Sequence, residues 1–290
     1  MTSGSGHGPG SGNAGSPPER ERAIWRRRRL SGRLRQRAPE ELDIIILGTS
    51  SPDRNYPSDA CSVQAAIGAV NAVAFDISAA CAGFIFAMNI VEGFFKAGIY
   101  KTALIIGAET LSKVTDWNDR GTCVLFGDGA GAAVLKAEET GIIDMMMGAD
   151  GTKGDVLACT SRTVGNFLTG TKPELGFMTM DGQEVFKFAV RKVPESVMEL
   201  LQRTGTKKED IKYYVLHQAN ERIIEAAARR LKEPMEKFPM TIGQFGNTST
   251  ASIPLLLDDM IQKDMLKRGD KIIMSGFGAG MTWGAVLMEW

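Results

Sequence analysis

The chain has 290 residues, with 34 basic and 34 acidic side chains and a hydrophobic share of 43%. This length predicts one large domain or two fused halves, and the balanced charge gives no overall argument for binding nucleic acid or a membrane. The sequence shows neither an apolar run of the ~18 residues that a spanning helix needs nor a secretory signal, so we expect no contact with a membrane.

Residues 1–38 differ in kind from the rest of the chain. They carry nine Arg, no Lys and two Glu, and their opening is rich in Gly, Ser and Pro. Such a segment buries too little apolar surface to order itself, so we predict a disordered tail that is solvated or that reflects a misassigned start of the reading frame. The run Arg26–Arg29 would also suit a nucleic-acid patch or a transit peptide.

From Pro39 onward, short β-rich runs alternate with longer helical runs, which predicts an α/β layered fold. In chain order we predict a buried strand in LDIIILGTS, a second strand in AVAFDIS, a helix buried on most sides in CAGFIFAMNIVEGFFKAG, a third strand in KTALIIGAE, and two strands flanking a glycine turn in CVLFGDGAGAAVLKA.

The second part of the chain repeats this order of predicted strands and helices at an offset of about 169 residues. Ile44–Leu47 match Tyr213–Leu216, Leu104–Gly107 match Ile273–Gly276, and Cys81 falls opposite Thr250. These matches predict a duplication, with a first half at 39–120 and a second half at 121–290. The second copy has about 87 residues before the position that matches Pro39, where the first copy has only its tail, so we expect an opening strand, helix and strand to be absent from the first half or replaced.

Cys81 lies where a predicted strand gives way to a predicted helix. Unpaired backbone N–H groups and the helix dipole favour a thiolate at such a position, and a thiolate is the nucleophile that acyl transfer needs. The alternative is a buried packing residue. The four cysteines have no C-x-x-C spacing, which indicates reduced thiols in a reducing compartment.

Two further side chains stand at junctions of predicted strands and helices. His217 follows the strand KYYVL, and Asn247 lies in GQFGNTSTASIP, which we predict to follow a short apolar strand. Such junctions hold many α/β sites. Taken singly, His217 is also explained as a structural histidine, and Asn247 as a helix cap. The glycines of SGFGAGMTWGAVLMEW let backbone N–H donors approach a bound group, and they lack the phosphate-loop pattern.

Six blocks of the sequence together resemble the β-ketoacyl-acyl carrier protein synthase III family, over Pro39–Trp290. They are DISAACAGF, RGTCVLFGDGAGAAVL, MDGQEVFKFAV, HQAN, GNTSTASIP and GFGAGMTWG. The resemblance implies a thiolase-like fold, a five-layered α/β/α/β/α sandwich of two duplicated halves, of which the first is incomplete here.

The same resemblance implies the site. Cys81 would be the nucleophile, with His217 and Asn247 beside it, and the backbone N–H groups of Cys81 and Ala279 would form an oxyanion hole. Chain-elongating relatives use a second histidine and thiolases a late second cysteine; no His follows His217 and no Cys follows Cys159. Both of those activities are therefore disfavoured.

Two further positions follow from the family pattern. Arg222 would meet coenzyme A phosphate and the acidic carrier protein at the tunnel mouth, whereas we interpret Arg229 and Arg230 as a solvated helix face. Tyr56 would cross the interface of a homodimer and bound the partner's acyl pocket. The implied reaction condenses an acyl-coenzyme A primer, expected to be acetyl-coenzyme A, with malonyl-acyl carrier protein in a bacterial cytoplasm, with no permanently bound cofactor or metal.

Two departures from the family pattern keep a second hypothesis open. Ala279 replaces a frequent glycine, which restricts its φ angle. The family's opening segment, which clamps the adenine, has no counterpart in residues 1–38. The alternative is therefore a truncated, inactive homologue that acts only as a dimer partner or is an unstable product. A nucleic-acid binder is a third possibility, which rests on the tail alone.

Overall fold

The computed structural model describes residues 39–174 and 176–290, so the expectations for residues 1–38 lie outside the described part. The described chain forms five layers. The helices are α1 Asp59–Ile67, α2 Gly83–Lys96, α3 Gly182–Thr204, α4 Glu221–Leu231, α5 Ile242–Phe245 and α6 Ser252–Gln262. The strands are β1 Ile44–Gly48, β2 Val73–Ile77, β3 Thr102–Glu109, β4 Gly129–Lys136, β5 Ile142–Ala149, β6 Leu157–Cys159, β7 Met178–Met180, β8 Ile211–Leu216, β9 Lys271–Gly278 and β10 Thr282–Glu289.

Two four-stranded sheets form the second and fourth layers. The first has the order β2-β1-β3-β4, and the second has the order β5-β10-β9-β8. In the first sheet β1 runs parallel to β2 and β3, while β4 is antiparallel to β3. All five residues of β1 are buried, as an unbroken apolar run predicts for a parallel strand that is covered on both faces.

Three clusters of buried hydrophobic side chains lie between the layers. Helix α1 packs Ala60 and Val63 on the outer face of the first sheet. Helices α2 and α6 lie between the two sheets and bury side chains such as Phe84 and Leu256. Helices α3 and α4 cover the outer face of the second sheet. The order of layers is therefore α/β/α/β/α, as the resemblance implied.

The described elements recur in the two halves at the predicted offset. The strand pair β1 and β3 corresponds to β8 and β9, the buried helix α2 corresponds to α6, and the short turn Ala80–Ala82 before α2 corresponds to Ser249–Ala251 before α6. Ala80 and Ser249, which are 169 residues apart, both have a left-handed backbone, with φ of 46° and 49°. This recurrence supports the duplication down to single residues.

The glycine-rich segment after β3 differs from its predicted form. It contains one strand, β4, and Gly129 and Gly131 lie inside that strand. A Cβ atom on Gly131 would come within 3.0 Å of the Leu255 backbone N, so these glycines let helix α6 pack closely on the sheet. Because β4 pairs with β3, residues 129–136 belong to the first sheet, and the change of sheet falls between Lys136 and Ile142, later than the predicted residue 121.

The predicted short strand before Asn247 was also wrong. Residues Ile242–Phe245 form one helical turn, α5, and the only β pairing of this loop among the described residues is a single bridge between Phe126 and Asn247.

The outer edges of the two sheets are occupied differently. Strand β5 pairs with the outer edge of β10, whereas β4 has no outer neighbour within residues 39–174 and 176–290. A cleft of about 1430 Å³ runs along β4, between α2 and Trp290. No helix in the described ranges is long and apolar enough to cross a membrane.

Candidate active site

Cys81 lies on the short turn Ala80–Ala82, between strand β2 and helix α2. This turn packs against the end of strand β9. A Cβ atom on Gly278 would lie 2.5 Å from the backbone N of Cys81, and one on Gly276 would lie 3.4 Å from its carbonyl oxygen. The glycines of β9 therefore let the backbone of the second half touch the backbone at Cys81.

The environment of the Cys81 thiol differs from the predicted thiolate site. Burial is the main cause that raises the pKa of Cys81 to about 12, and the charge of Glu109 raises it further. The Ser249 side chain and the backbone N–H of Cys81 lower the pKa through hydrogen bonds, but by less. One helical turn does not offset the loss of water around a side chain that is 7% exposed, so the resting group is a thiol.

His217 follows strand β8 and is buried. Its backbone N donates to Ser275 O at 2.8 Å, and its ring meets the Phe277 ring edge-on at 5.4 Å. Burial lowers the pKa of His217 to about 3, so the ring is neutral. Nδ1 lies 2.6 Å from Ser252 Oγ, which also accepts the Gln218 N–H at 3.3 Å. Because that hydroxyl already accepts one proton, its own proton is available for Nδ1, which leaves the ring proton on Nε2.

Asn247 is held through its backbone and its amide oxygen. Its N–H donates to Leu125 O, and its own carbonyl accepts from Gly127 N, both at 2.9 Å. Asn247 Oδ1 accepts the backbone N–H of Ser249 at 2.9 Å. This bond holds the amide next to the Ser249–Ala251 turn, whose N-cap residue is Thr248 and not Asn247, and it leaves the amide N–H groups facing away.

Contacts through strand β9 and the Ser249 turn bring the three predicted residues to one place. Phe277 touches the His217 ring, and the adjacent Gly278 touches the Cys81 backbone. Asn247 binds Ser249, whose side chain is hydrogen-bonded to the Cys81 thiol.

The loop that follows β9 brings Ala279 to the same turn. Thr282 Oγ1 lies 3.1 Å from both Ala279 O and Ala79 O. This hydroxyl ties the loop to the chain just before Cys81. The two backbone amides predicted for the oxyanion hole, those of Cys81 and Ala279, therefore lie on segments that touch.

Arg222 and Tyr56 lie on the surface. Arg222 is exposed on the first turn of α4, where its backbone N donates to Asn220 Oδ1 at 2.9 Å. Arg229, on the same helix, pairs with Glu225 at 3.6 Å, which agrees with the predicted solvated face. Tyr56 is 85% exposed in the loop between β1 and α1.

Sequence reasoning missed three side chains around this turn: Glu109, Ser249 and Thr250. Thr250 Oγ1 donates to Ala80 O at 2.7 Å, and a Cβ atom on Gly83 would lie 3.0 Å from its methyl group. The available signal was the internal repeat, which already set Thr250 opposite Cys81. Within the described residues, no group of three His, Cys, Asp or Glu side chains is arranged to hold a metal.

Comparisons with known proteins agree on one family. The family model described as 3-oxoacyl-[acyl-carrier-protein (ACP)] synthase III matches residues 75–151, and the model for its C-terminal part matches residues 201–290. The chain is 52% identical to β-ketoacyl-[acyl-carrier-protein] synthase III of Clostridium acetobutylicum, over 87% of this chain and 78% of that protein.

Solved structures give the same result. The crystal structure of 3-oxoacyl-[acyl-carrier-protein] synthase III from Aquifex aeolicus matches with a TM-score of 0.81 and 46% identity, over 89% of this chain and 80% of that one. The enzyme from Thermus thermophilus matches with a TM-score of 0.83 and 40% identity, over 90% and 82%. On this likeness in sequence and thiolase-like fold, the chain belongs to the β-ketoacyl-acyl carrier protein synthase III family of condensing acyltransferases.

Proposed function

We propose that this protein condenses an acyl-coenzyme A primer, expected to be acetyl-coenzyme A, with malonyl-acyl carrier protein, through an acyl group held on Cys81. The products are 3-oxoacyl-acyl carrier protein, coenzyme A and carbon dioxide, and the reaction starts fatty-acid synthesis. The observation that carries the proposal is the meeting of a buried thiol with one neutral imidazole and one carboxamide, contributed by the other half of the repeat.

The first half-reaction is acyl transfer. Cys81 Sγ attacks the thioester carbonyl of the primer, the bond to the coenzyme A sulfur breaks, and the thiol proton ends on that sulfur. The backbone N–H groups of Cys81 and Ala279 hold the developing oxyanion. Because burial raises the pKa of Cys81 to about 12, the proton leaves as the new bond forms rather than beforehand.

The second half-reaction is decarboxylative condensation. His217 Nε2 and the amide N–H of Asn247 donate to the thioester carbonyl of the malonyl group, which stabilises the enolate left when carbon dioxide departs. That carbanion attacks the acyl carbon on Cys81, the carbon–sulfur bond breaks, and the sulfur takes up a proton. A histidine pKa of about 3 suits a neutral donor at physiological pH.

The proposal also assigns the groups that would bind the substrates and the partners. Arg222 is an exposed cation on the first turn of α4, suited to coenzyme A phosphate and to an acidic carrier protein. Tyr56 bounds the acyl pocket of a second copy in a homodimer. The proposed reaction needs no permanently bound cofactor. It uses a coenzyme A thioester as substrate and the phosphopantetheine arm of the carrier protein. The bacterial relatives support a bacterial cytoplasm as its location.

Single-turnover labelling tests the proposal. Incubation with radiolabelled acetyl-coenzyme A is expected to leave one label on Cys81, and added malonyl-acyl carrier protein is expected to move that label into 3-oxobutyryl-carrier protein. Cys81→Ala is expected to take up none. A folded wild-type protein that takes up no label would instead favour the inactive homologue.

A further inference from the structure

Glu109 is a buried carboxylate that the proposed mechanism does not use. It ends strand β3 and is 3% exposed. Its two oxygens accept hydrogen bonds from two loops. The groups within hydrogen-bond distance are Thr49 Oγ1 at 3.4 Å, Ser50 N at 3.0 and 3.2 Å, Ser51 Oγ at 2.6 Å, and Ser249 Oγ and Thr250 Oγ1, each at 3.0 Å. A carboxylate with so many donors fixes the positions of the groups that donate.

The internal repeat shows what is special about this carboxylate. Glu109 stands opposite Gly278, at the same offset that relates Cys81 to Thr250. Gly278 leaves bare backbone under the Cys81 turn, whereas Glu109 places two anionic oxygens under the Thr250 turn. The two halves therefore differ at this position. The Cys81 turn packs against bare backbone, whereas the Thr250 turn is held by a carboxylate.

The held turn is connected to all parts of the site. Ser249 N donates to Asn247 Oδ1, and the Ser249 hydroxyl reaches both Glu109 Oε1 and the Cys81 thiol. The Thr250 hydroxyl lies between Glu109 Oε1 and Ala80 O, the carbonyl just before the nucleophile. Two hydroxyl groups thus link one carboxylate to the Cys81 turn and to the Asn247 loop.

We propose that Glu109 is a positioning residue of the reaction: its carboxylate orients the hydroxyls of Ser249 and Thr250, and thereby holds the Cys81 turn in register with Asn247. This inference deepens the proposed function and rests on it. The Ser249 hydroxyl has a single proton, so the carboxylate and the Cys81 sulfur compete for it. Glu109 consequently restrains thiolate formation while it fixes the geometry.

The other charged groups on the neighbouring elements have their own partners. Lys113, after β3, lies 3.1 Å from Asp53 Oδ1 in the β1–α1 loop and donates to Pro52 O. Asp128, at the start of β4, accepts from Ser112 Oγ at 2.6 Å. Arg54 in the β1–α1 loop also has an interaction of its own, and His217 is neutral.

Two substitutions separate the role of the Glu109 carboxylate from that of the Ser249 hydroxyl, because they are expected to change the reactivity of Cys81 in opposite directions. Glu109→Gln removes the negative charge and keeps the shape, so thiolate formation becomes easier. Ser249→Ala removes the hydroxyl that stabilises the thiolate, so it becomes harder. Ser249→Ala is expected to fold, because Ala80 already occupies the equivalent left-handed position in the first half.

The experiment follows alkylation of Cys81 by iodoacetamide between about pH 6 and pH 10, resolved from Cys61, Cys123 and Cys159 by mass spectrometry of the peptides. At a fixed pH below the thiol pKa, we expect the Cys81 rate to rise about threefold to tenfold in Glu109→Gln and to fall by a similar factor in Ser249→Ala. Asp76→Asn is the matched control, since Asp76 also accepts backbone N–H groups, at 2.7 and 2.8 Å, but from helix α1, and it should keep the wild-type profile.

Turnover supplies the second measurement. We expect Glu109→Gln to slow condensation about tenfold or more, with little change in KM for malonyl-acyl carrier protein, even though its thiol is more reactive. Alkylation needs no turnover, so a wild-type protein without activity would refute the proposed function while leaving this test intact. Equal Cys81 profiles in wild type, Glu109→Gln and Ser249→Ala would overturn the inference, as would a Glu109→Gln protein with full condensation activity.

Discussion

At the scale of single residues, the site combines two turns of the same shape with different chemistry. Ala80 and Ser249 share the left-handed backbone that sends the chain sharply into a buried helix. Each turn carries one residue of the pair Cys81 and Thr250, which is a buried thiol in the first half and a hydroxyl that donates a hydrogen bond in the second. The duplicated frame therefore provides two similar junctions with different side chains, and the proposed function assigns the chemistry to the one that carries Cys81.

The buried, neutral His217 leads to a prediction about the stability of the fold in acid. Its pKa is about 3 in the folded protein and ordinarily 6.5, so the unfolded chain binds a proton that the folded chain does not. The free energy of unfolding should therefore fall as the pH drops below 6.5, and the loss from this residue should reach about 2 kcal/mol at about pH 5.

Urea unfolding at about pH 7.5 and about pH 5 measures this loss. In His217→Gln this contribution should vanish. A variant that loses as much stability on acidification as the wild type would show that His217 is not held neutral by burial.

At the scale of elements, glycines set how closely the two halves approach. In β9, Gly276 and Gly278 lie against the Cys81 turn; in β3, Gly107 lies against the backbone of Thr250 and Ala251. Each strand therefore presents bare backbone to the turn contributed by the other half. This reciprocal contact lets short turns from distant parts of the chain meet without side chains between them.

Gly107→Ala tests this contact. The new methyl group would clash with the carbonyl oxygen of Thr250, a backbone atom that cannot rotate away. We expect a loss of about 1–3 kcal/mol in the free energy of unfolding, together with lower acyl uptake as the Thr250 turn is displaced.

Gly93→Ala is the matched control, because it lies in helix α2 with no neighbour within 4 Å of the new atom. It should be stabilising by about 0.5–1 kcal/mol. Both variants can be compared by urea unfolding at one pH. Equal stability of Gly107→Ala and the wild type would mean that the strand and the turn can separate without cost.

The sequence predicted the strands with continuous apolar runs and the helices with clear periodicity, but it predicted the glycine-rich parts less well. The glycines of GDGAGAAVL suggested a turn because their local preference points that way, whereas in β4 they serve the packing of helix α6. Cys81, His217 and Asn247 were predicted as site residues from their junctions and from the family pattern. Glu109 was missed because an acid at the end of a strand is ordinarily exposed, and only tertiary contacts reveal its six hydrogen-bond distances.

At the scale of the whole molecule, large apolar side chains remain exposed on loops outside the layers. Tyr56 is 85% exposed, and Phe167 and Leu168 are 92% and 80% exposed. Single exposed apolar residues are ordinary, but adjacent ones such as Phe167 and Leu168 are typical of surfaces that a partner covers. A second copy of the chain is the partner that the family pattern implies for Tyr56.

We therefore expect a homodimer in solution, and Tyr56→Ser should raise its dissociation constant at least about tenfold, which corresponds to about 1.4 kcal/mol. Sedimentation velocity over a range of protein concentrations measures this change. Ile99→Ser is the control, since Ile99 is 59% exposed in the turn between α2 and β3 and is not predicted to meet the partner. If Tyr56 completes the acyl pocket of the other copy, Tyr56→Ser should also lose acyl uptake in proportion to its loss of dimer. A fully active monomer would exclude that shared pocket and leave each chain with a complete site of its own.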